Sequence, residues 1–187
     1  MKITHLTLDN FQSYDHEEID FEDGVSLFHG DNGAGKSTIL RAVFAGLFQT
    51  DMSRHSATGF SSIGELVRQG ESEGGVTLTF ELGPNEYELS WRIEVDDPGE
   101  TSPTGKTTEC LLTSPSLSDP VDGITNVRQA IQTELIGMDA RSFASSVYVQ
   151  QDEVMRLITA DDSERQEIFD GLLGLSKLDE YIERTVE

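Results

Sequence analysis

The 187-residue chain is 36% apolar with nine Phe, enough to bury a core, and it has no apolar run near the roughly 18 residues of a membrane span. Thirty-five acids against thirteen bases give a formal charge of -22; the acids are interleaved with patterned apolar residues, which excludes a disordered acidic block and reads as adaptation to a salt-rich cytoplasm where self-repulsion is screened. The single cysteine, Cys110, excludes an internal disulfide and a thiolate zinc cage within the chain.

Ile3, Leu6, Leu8 and Phe11 predict an opening strand, and Ile19 and Phe21 mark a second after a turn at Ser13-Tyr14-Asp15. These first residues lack the apolar stretch of a signal peptide, so a cytoplasmic location is expected. Gly24 breaks the chain before Val25-Ser26-Leu27-Phe28-His29, an apolar run predicted as a strand that leads into a glycine-rich loop. Ile39, Leu40, Val43, Phe44 and Leu47 then share one helical face, predicting a buried amphipathic helix from Lys36 onward.

Residues 50–62 hold no period and read as loop. Val76 to Phe80 and Tyr87 to Val95 alternate around Gly83-Pro84-Asn85, a hairpin signal, and a third strand over Thr107 to Thr113 completes an antiparallel lobe. A helix follows with Val127, Ala130, Ile131 and Leu135 inward, and Ser145 to Gln151 reads as a returning strand. Asp161-Asp162-Ser163 starts a further helix, in which Leu175, Leu178, Ile182 and Val186 are spaced three, four and four as in a coiled-coil seam. The expected organisation is a lobe over residues 1–160 and the root of a coiled coil over 161–187. So short a helix is marginal alone, so a partner helix from outside the chain is expected.

Gly30-Asp31-Asn32-Gly33-Ala34-Gly35-Lys36-Ser37 matches G-x-x-x-x-G-K-S in the order strand, loop, helix. Such glycines let successive backbone N–H groups turn toward phosphate oxygens. Lys36 is placed to reach the β and γ phosphates, and the Ser37 hydroxyl to meet Mg²⁺. The fold class this implies is α/β, a P-loop NTPase. Cleavage at such a loop also requires an apolar strand ending in an acidic residue. The nearest candidate, Leu6-Thr7-Leu8-Asp9, precedes the loop and is poorly placed, so the chain alone is expected to bind ATP better than it cleaves it. The four histidines, His5, His16, His29 and His55, are too scattered to make a metal site.

Asn10-Phe11-Gln12-Ser13-Tyr14, the loop Gly-Asp-Asn-Gly-Ala-Gly-Lys-Ser-Thr, and Val147-Tyr148-Val149-Gln150-Gln151 together resemble the SMC-type ABC ATPases, and within them the Rad-fifty/SbcC double-strand-break repair ATPases, over essentially the whole chain. The resemblance implies a head built from an N-terminal and a C-terminal lobe at the two ends of a long antiparallel coiled coil. This chain would be the first lobe plus the coil root. The acidic motif, the signature motif and a Cys-x-x-Cys zinc hook would lie elsewhere. Two such heads would sandwich ATP and Mg²⁺ as a homodimer and control an Mre-eleven/SbcD-type nuclease on DNA, in a cytoplasmic, nucleoid-associated setting.

Carried over by residue, the resemblance makes Asn32, Gly33, Ala34, Gly35, Lys36, Ser37 and Thr38 the phosphate-binding stretch. It makes Gln151 the glutamine that contacts Mg²⁺ and the water near the γ phosphate, and it sets Val67, Arg68 and Gln69 beside the adenosine. Gln12 departs from the basic residue often found at its position in the family. The 114 residues between Ser37 and Gln151 disfavour a transporter ATPase. An SMC or condensin-like chromosome-organising head, and a small P-loop kinase, are the alternative readings; a Cys-x-x-Cys in a long heptad region beyond residue 187 would favour repair. No basic patch marks a DNA surface.

The charge generates a test of its own. Thermal melts from about 0.1 to 3 M KCl should show a rising midpoint as the carboxylates are screened. A flat or falling trend would give the acids another role, such as binding a basic partner.

Overall fold

Among the described residues, a run of period-two segments forms one antiparallel sheet that carries one long helix on one face. The computed structural model describes residues 1–50 and 62–147, together with residue 161. The chain divides into two compact units, Met1–Gly137 and Met138–Glu187.

In the first unit, β1 (Lys2–Phe11), β2 (Tyr14–Asp20), β3 (Glu73–Leu82), β4 (Asn85–Val95), β5 (Gly105–Thr113) and β6 (Val121–Asp122) lie in the order β2-β1-β3-β4-β5-β6. Every neighbouring pair is antiparallel. The predicted hairpin forms as expected, closing on Leu82↔Asn85 with Gly83 at φ 61 ahead of Pro84, the glycine-first pattern of a type II′ turn. Alternation decides which face is buried: Tyr87, Leu89, Trp91, Ile93 and Val95 point inward along β4, while Leu6 and Leu8 of β1 lie in register with Leu78 and Val76 of β3. Trp91, fully buried, satisfies its indole N–H on Thr107 Oγ1 at 2.9 Å. Cys110 is buried in β5, and burial pushes its thiol up to about 12, so it is an inert core residue.

Helix α1 (Lys36–Phe48) covers this apolar face. Gly46 brings it down on the sheet: a Cβ there would stand 3.4 Å from Val76 Cγ1. Ile39, Val43, Phe44 and Leu47 are buried as expected. Leu40 is not; it is 47% exposed, because the buried stripe widens only past the first turn, where Ala42, Ala45, Gly46 and Phe48 join it. Helix α2 (Ile124–Gln129) continues as a π-helix over Ala130–Leu135, with Ile136 N–H bonded to Ile131 O at 2.8 Å. Val127, Ala130 and Ile131 face inward as predicted, and Leu135 is half-buried.

Three further expectations fail. Val25 to His29 forms no strand, and Val25 and Leu27 are 96% and 88% exposed. An extended run needs a neighbour for its N–H and C=O groups, and among the described residues none lies beside it. The first turn is Gln12-Ser13, not Ser13 to Asp15, since Gln12 takes φ 51 and Phe11 pairs with Tyr14. In the second unit, Ser145 and Ser146 belong to a helix, α3 (Ala140–Ser146), started by Asp139, whose carboxylate accepts from Ser142 N–H at 2.8 Å. Val147 is the C-cap of that helix, and Tyr148 to Gln151 and the coiled-coil seam lie outside the described residues.

The short 3₁₀ turn Ile63–Leu66 is locked to the start of β5. Ser62 Oγ accepts from both Gly64 N–H and Gly105 N–H at 3.1 Å, and a Cβ on Gly64 would strike the Pro103 carbonyl. Gly64→Ala should therefore cost about 1–3 kcal/mol, by the overpacking scale. Denaturant titration in molar KCl checks this, and an unchanged midpoint would show that the turn is not clamped.

Candidate nucleotide-binding site

The glycine-rich loop is shaped by its own backbone and braced from outside. Upstream, Phe28 meets Phe21 edge-on with centroids 6.2 Å apart. Gly33 and Gly35 take φ 84 and 86, a left-handed conformation that a side chain would resist, and Ala34 N–H closes a turn on Asp31 O at 3.2 Å. Gly35 is the N-cap residue of α1. No side chain caps that helix, and its first turn contains no acid. A helix end with uncapped N–H groups and no local negative charge is suited to an anion.

Lys36 reaches back across the loop, donating from Nζ to Gly30 O at 2.9 Å and Asp31 O at 2.7 Å. The ammonium thus already lies over the loop it would share with a phosphate. Asn32, Gly33, Ala34 and Ser37 are exposed and Thr38 is half-buried, its N–H bonded to Gly35 O at 2.9 Å. The donors present fit the phosphate groups of ATP with Mg²⁺: backbone N–H groups, one ammonium and one exposed hydroxyl on adjoining turns.

The β1–β2 turn supplies the brace. A Cβ at Gly35 would lie 2.8 Å from Ser13 Oγ and 2.9 Å from the Tyr14 ring, and Tyr14 O–H donates to Gly35 O at 3.3 Å. Burial and the nearby Glu17 carboxylate hold the Tyr14 phenol above its ordinary range, so it remains a donor. Gln12 in turn accepts from Arg41 Nη1 of α1 at 3.2 Å.

Gln12 also gathers the segment expected near the adenosine. Its N–H donates to Leu66 O at 2.8 Å, Arg68 N–H donates to Asn10 O at 2.7 Å, and Phe11 forms a bridge with Val67. Gln12, Val67, Arg68 and Gln69 line one cleft of about 250 Å³ with Pro98 and Glu100. Arg68 pairs with Asp15 at 3.1 Å.

Residues far apart in sequence, Gln12, Lys36 and Arg68, therefore belong to one neighbourhood. Gln151 lies outside the described residues. Asp9 is unsuited to hold a metal. Burial pushes its carboxyl up, but hydrogen bonds from Arg92 and His16 outweigh that and keep it below its ordinary value, at 2.5 and 2.6 Å. Among the described residues no cluster of His, Cys, Asp and Glu could hold a metal ion. Sequence reasoning missed Ser13, Tyr14 and Arg41. The last could have been found from its position four residues after Ser37, on the same helical face.

A family model described as AAA domain matches residues 5–187. The chain belongs to this AAA domain family. Among curated relatives it is 35% identical to a DNA double-strand break repair Rad50 ATPase of Halobacterium salinarum over 98% of this chain and 19% of that protein. A protein of the same name from Methanosarcina acetivorans is 31% identical, over 99% of this chain and 16% of the relative. The chain thus spans less than a fifth of these relatives' length. A solved structure from work on ATP-driven dimerization and DNA-stimulated activation of SMC ATPases matches with TM-score 0.62 at 20% identity, covering 92% of this chain and 99% of that one. The expected fold stands: this AAA domain is an ABC/SMC-type P-loop head half with an antiparallel β lobe.

Lys36→Ala should weaken MgATP binding about 10- to 100-fold, because a charge-assisted hydrogen bond contributes about 1.5–3 kcal/mol. Calorimetry measures it, and affinity that survives unchanged removes the loop from nucleotide binding.

Proposed function

We propose that this chain is the ATP-binding N-terminal lobe of a DNA double-strand-break repair ATPase. In this reading the completed, dimerised protein uses ATP binding and hydrolysis to control DNA ends and an Mre-eleven/SbcD-type nuclease. The observation that carries it is the braced loop at Gly30 to Ser37, set in a chain that aligns nearly end to end with the Rad50 ATPases of two archaea. The likeness to SMC ATPases concerns the fold, and a chromosome-organising head would use the same lobe.

The proposed roles follow from the chemistry of each group. Backbone N–H groups of Asn32 to Lys36 and the start of α1 orient the phosphates. Lys36 exchanges its loop carbonyls for phosphate oxygens, so no additional cation has to be brought in. Ser37 would hold Mg²⁺ through its hydroxyl, joined by Gln151, and the ion when bound neutralises phosphate charge. Val67, Arg68, Gln69 and Gln12 wall the adenosine side. None of these residues is an acid able to align the attacking water, and that function is assigned to a C-terminal lobe outside this chain. The exposed Val25 and Leu27 support the same reading, since a strand from such a lobe would pair with and cover them.

The isolated chain should therefore bind ATP yet release phosphate at least about 100-fold more slowly than the chain mixed with its C-terminal lobe, each 1.4 kcal/mol of lost transition-state stabilisation being tenfold. Gln151→Ala should lower the rate of the mixture. Robust turnover by the isolated chain would overturn the split-head reading and favour a self-contained NTPase or kinase.

A further inference from the structure

Gln12 stands where two features meet. Ser13 and Tyr14, next in the chain, press on Gly35 of the phosphate loop, while Gln12 itself lines the cleft of about 250 Å³ that also takes in Val67 to Gln69. The rest of that cleft comes from a segment that no motif points to, the β4–β5 loop over residues 96–104. Antiparallel order brings it there. β1 ends, β3 begins and β4 turns into β5 at one edge of the sheet, where Asp9 pairs with Gly75, Glu73 with Glu94 and Val95 with Gly105.

Two four-residue turns meet at the cleft. Arg68 to Glu71 closes with Glu71 N–H on Arg68 O at 3.0 Å and Gly70 at φ 93, the pattern of a type II turn. Asp97 to Glu100 closes with Glu100 N–H on Asp97 O at 3.1 Å, and Pro98 takes the second place, for which its fixed φ suits it. The turns are joined, Gly70 N–H donating to Pro98 O at 3.0 Å. Val67, Val95 and Pro103 are buried and Pro98 half-buried, an apolar floor; Glu71 and Glu100, the last residues of the two turns, are exposed at the rim. Arg68 is engaged by Asp15 at 3.1 Å, and among the described residues neither Glu71 nor Glu100 is in an ion pair.

An apolar slot below the roughly 300–1,000 Å³ of pockets that enclose whole ligands suits one flat ring, and an ionised carboxylate can only accept hydrogen bonds. Purines differ at position six: adenine presents an amino donor there, guanine and hypoxanthine a carbonyl acceptor. We propose that this cleft, completed by the β4–β5 loop, holds the base of the nucleotide on the P-loop, and that Glu71 and Glu100 select a base with an amino group at position six over one with a carbonyl. The assignment rests on the P-loop reading above. The phosphates are held past Gln12, so the edge of the base that carries the ribose faces Gln12 and the opposite edge, with position six, reaches the turns. An amino group there donates to a carboxylate, whereas a carbonyl meets a second acceptor with no proton to share.

Calorimetry with MgATP and MgITP on the 187-residue chain in molar KCl tests this, with circular dichroism to confirm folding. The wild-type chain should bind MgATP about tenfold more tightly, as expected for one charge-assisted hydrogen bond made or denied. Glutamine keeps an accepting oxygen and adds a donor that a carbonyl can use. The double variant Glu71→Gln with Glu100→Gln should therefore bind the two nucleotides within about twofold of each other, chiefly by gaining affinity for MgITP, and each single variant should fall between. Lys36→Ala should weaken both nucleotides alike. A wild-type chain that binds MgITP as well as MgATP or better, with Lys36→Ala defective, overturns the base pocket and leaves the P-loop reading standing. A preference for MgATP that survives in the double variant also overturns it. Unchanged binding by Lys36→Ala removes the P-loop reading and this proposal with it.

Discussion

The contact between Gly35 and the β1–β2 turn is the constraint on which the site depends. Gly35 needs a left-handed backbone to turn the chain into α1, and it needs an empty Cβ position because Ser13 and Tyr14 occupy that space. These two demands are independent, and only glycine meets both. The same contact fixes the loop relative to the sheet, since Tyr14 begins β2 and Phe11 ends β1. A phosphate site that is rigid before its ligand arrives loses less conformational freedom on binding.

Local placement, more than net charge, decides what this acidic surface can bind. The chain holds 35 acids, yet the first turn of α1 contains none, and Lys36 is held by the neutral carbonyl oxygens of Gly30 and Asp31. Elsewhere acids are tied into the sheet: Asp9 bridges Arg92 and His16, and Asp20 meets His5 at 2.6 Å. The hydrogen bond that Asp9 accepts from His16 raises the His16 pKa. At high salt the long-range part of the -22 charge is screened, and contacts at hydrogen-bond distance govern the site.

The apolar run Val25 to Phe28 shows the same division between local chemistry and its surroundings. Its pattern is that of a buried strand, and only Phe28 finds an aromatic neighbour, Phe21. The proposed C-terminal lobe would give this run both a hydrogen-bonding partner and a cover. The β lobe on the other side of the loop needs no such help, because its strands pair with one another and α1 buries their apolar face.

Several features were legible in residue order alone, because their causes are local. The glycine spacing and the lysine that follows specify a phosphate loop, the alternation in β3 and β4 specifies a hairpin with Gly83-Pro84 at its tip, and the stripe from Ile39 to Leu47 specifies a helix against a core. Other features depended on which segments meet. No local pattern separates the unformed strand at Val25 from a formed one, since the difference is the presence of a pairing neighbour. Nor does any local pattern reveal that Gln12 touches Arg41, that Ser62 clamps Gly64 to Gly105, or that Val67 to Gln69 lie beside the first turn. Those contacts join residues 29 to 43 positions apart or farther. They exist because the antiparallel sheet stacks β1 beside β3 and brings the ends of distant strands to one edge, and only the tertiary structure decides that.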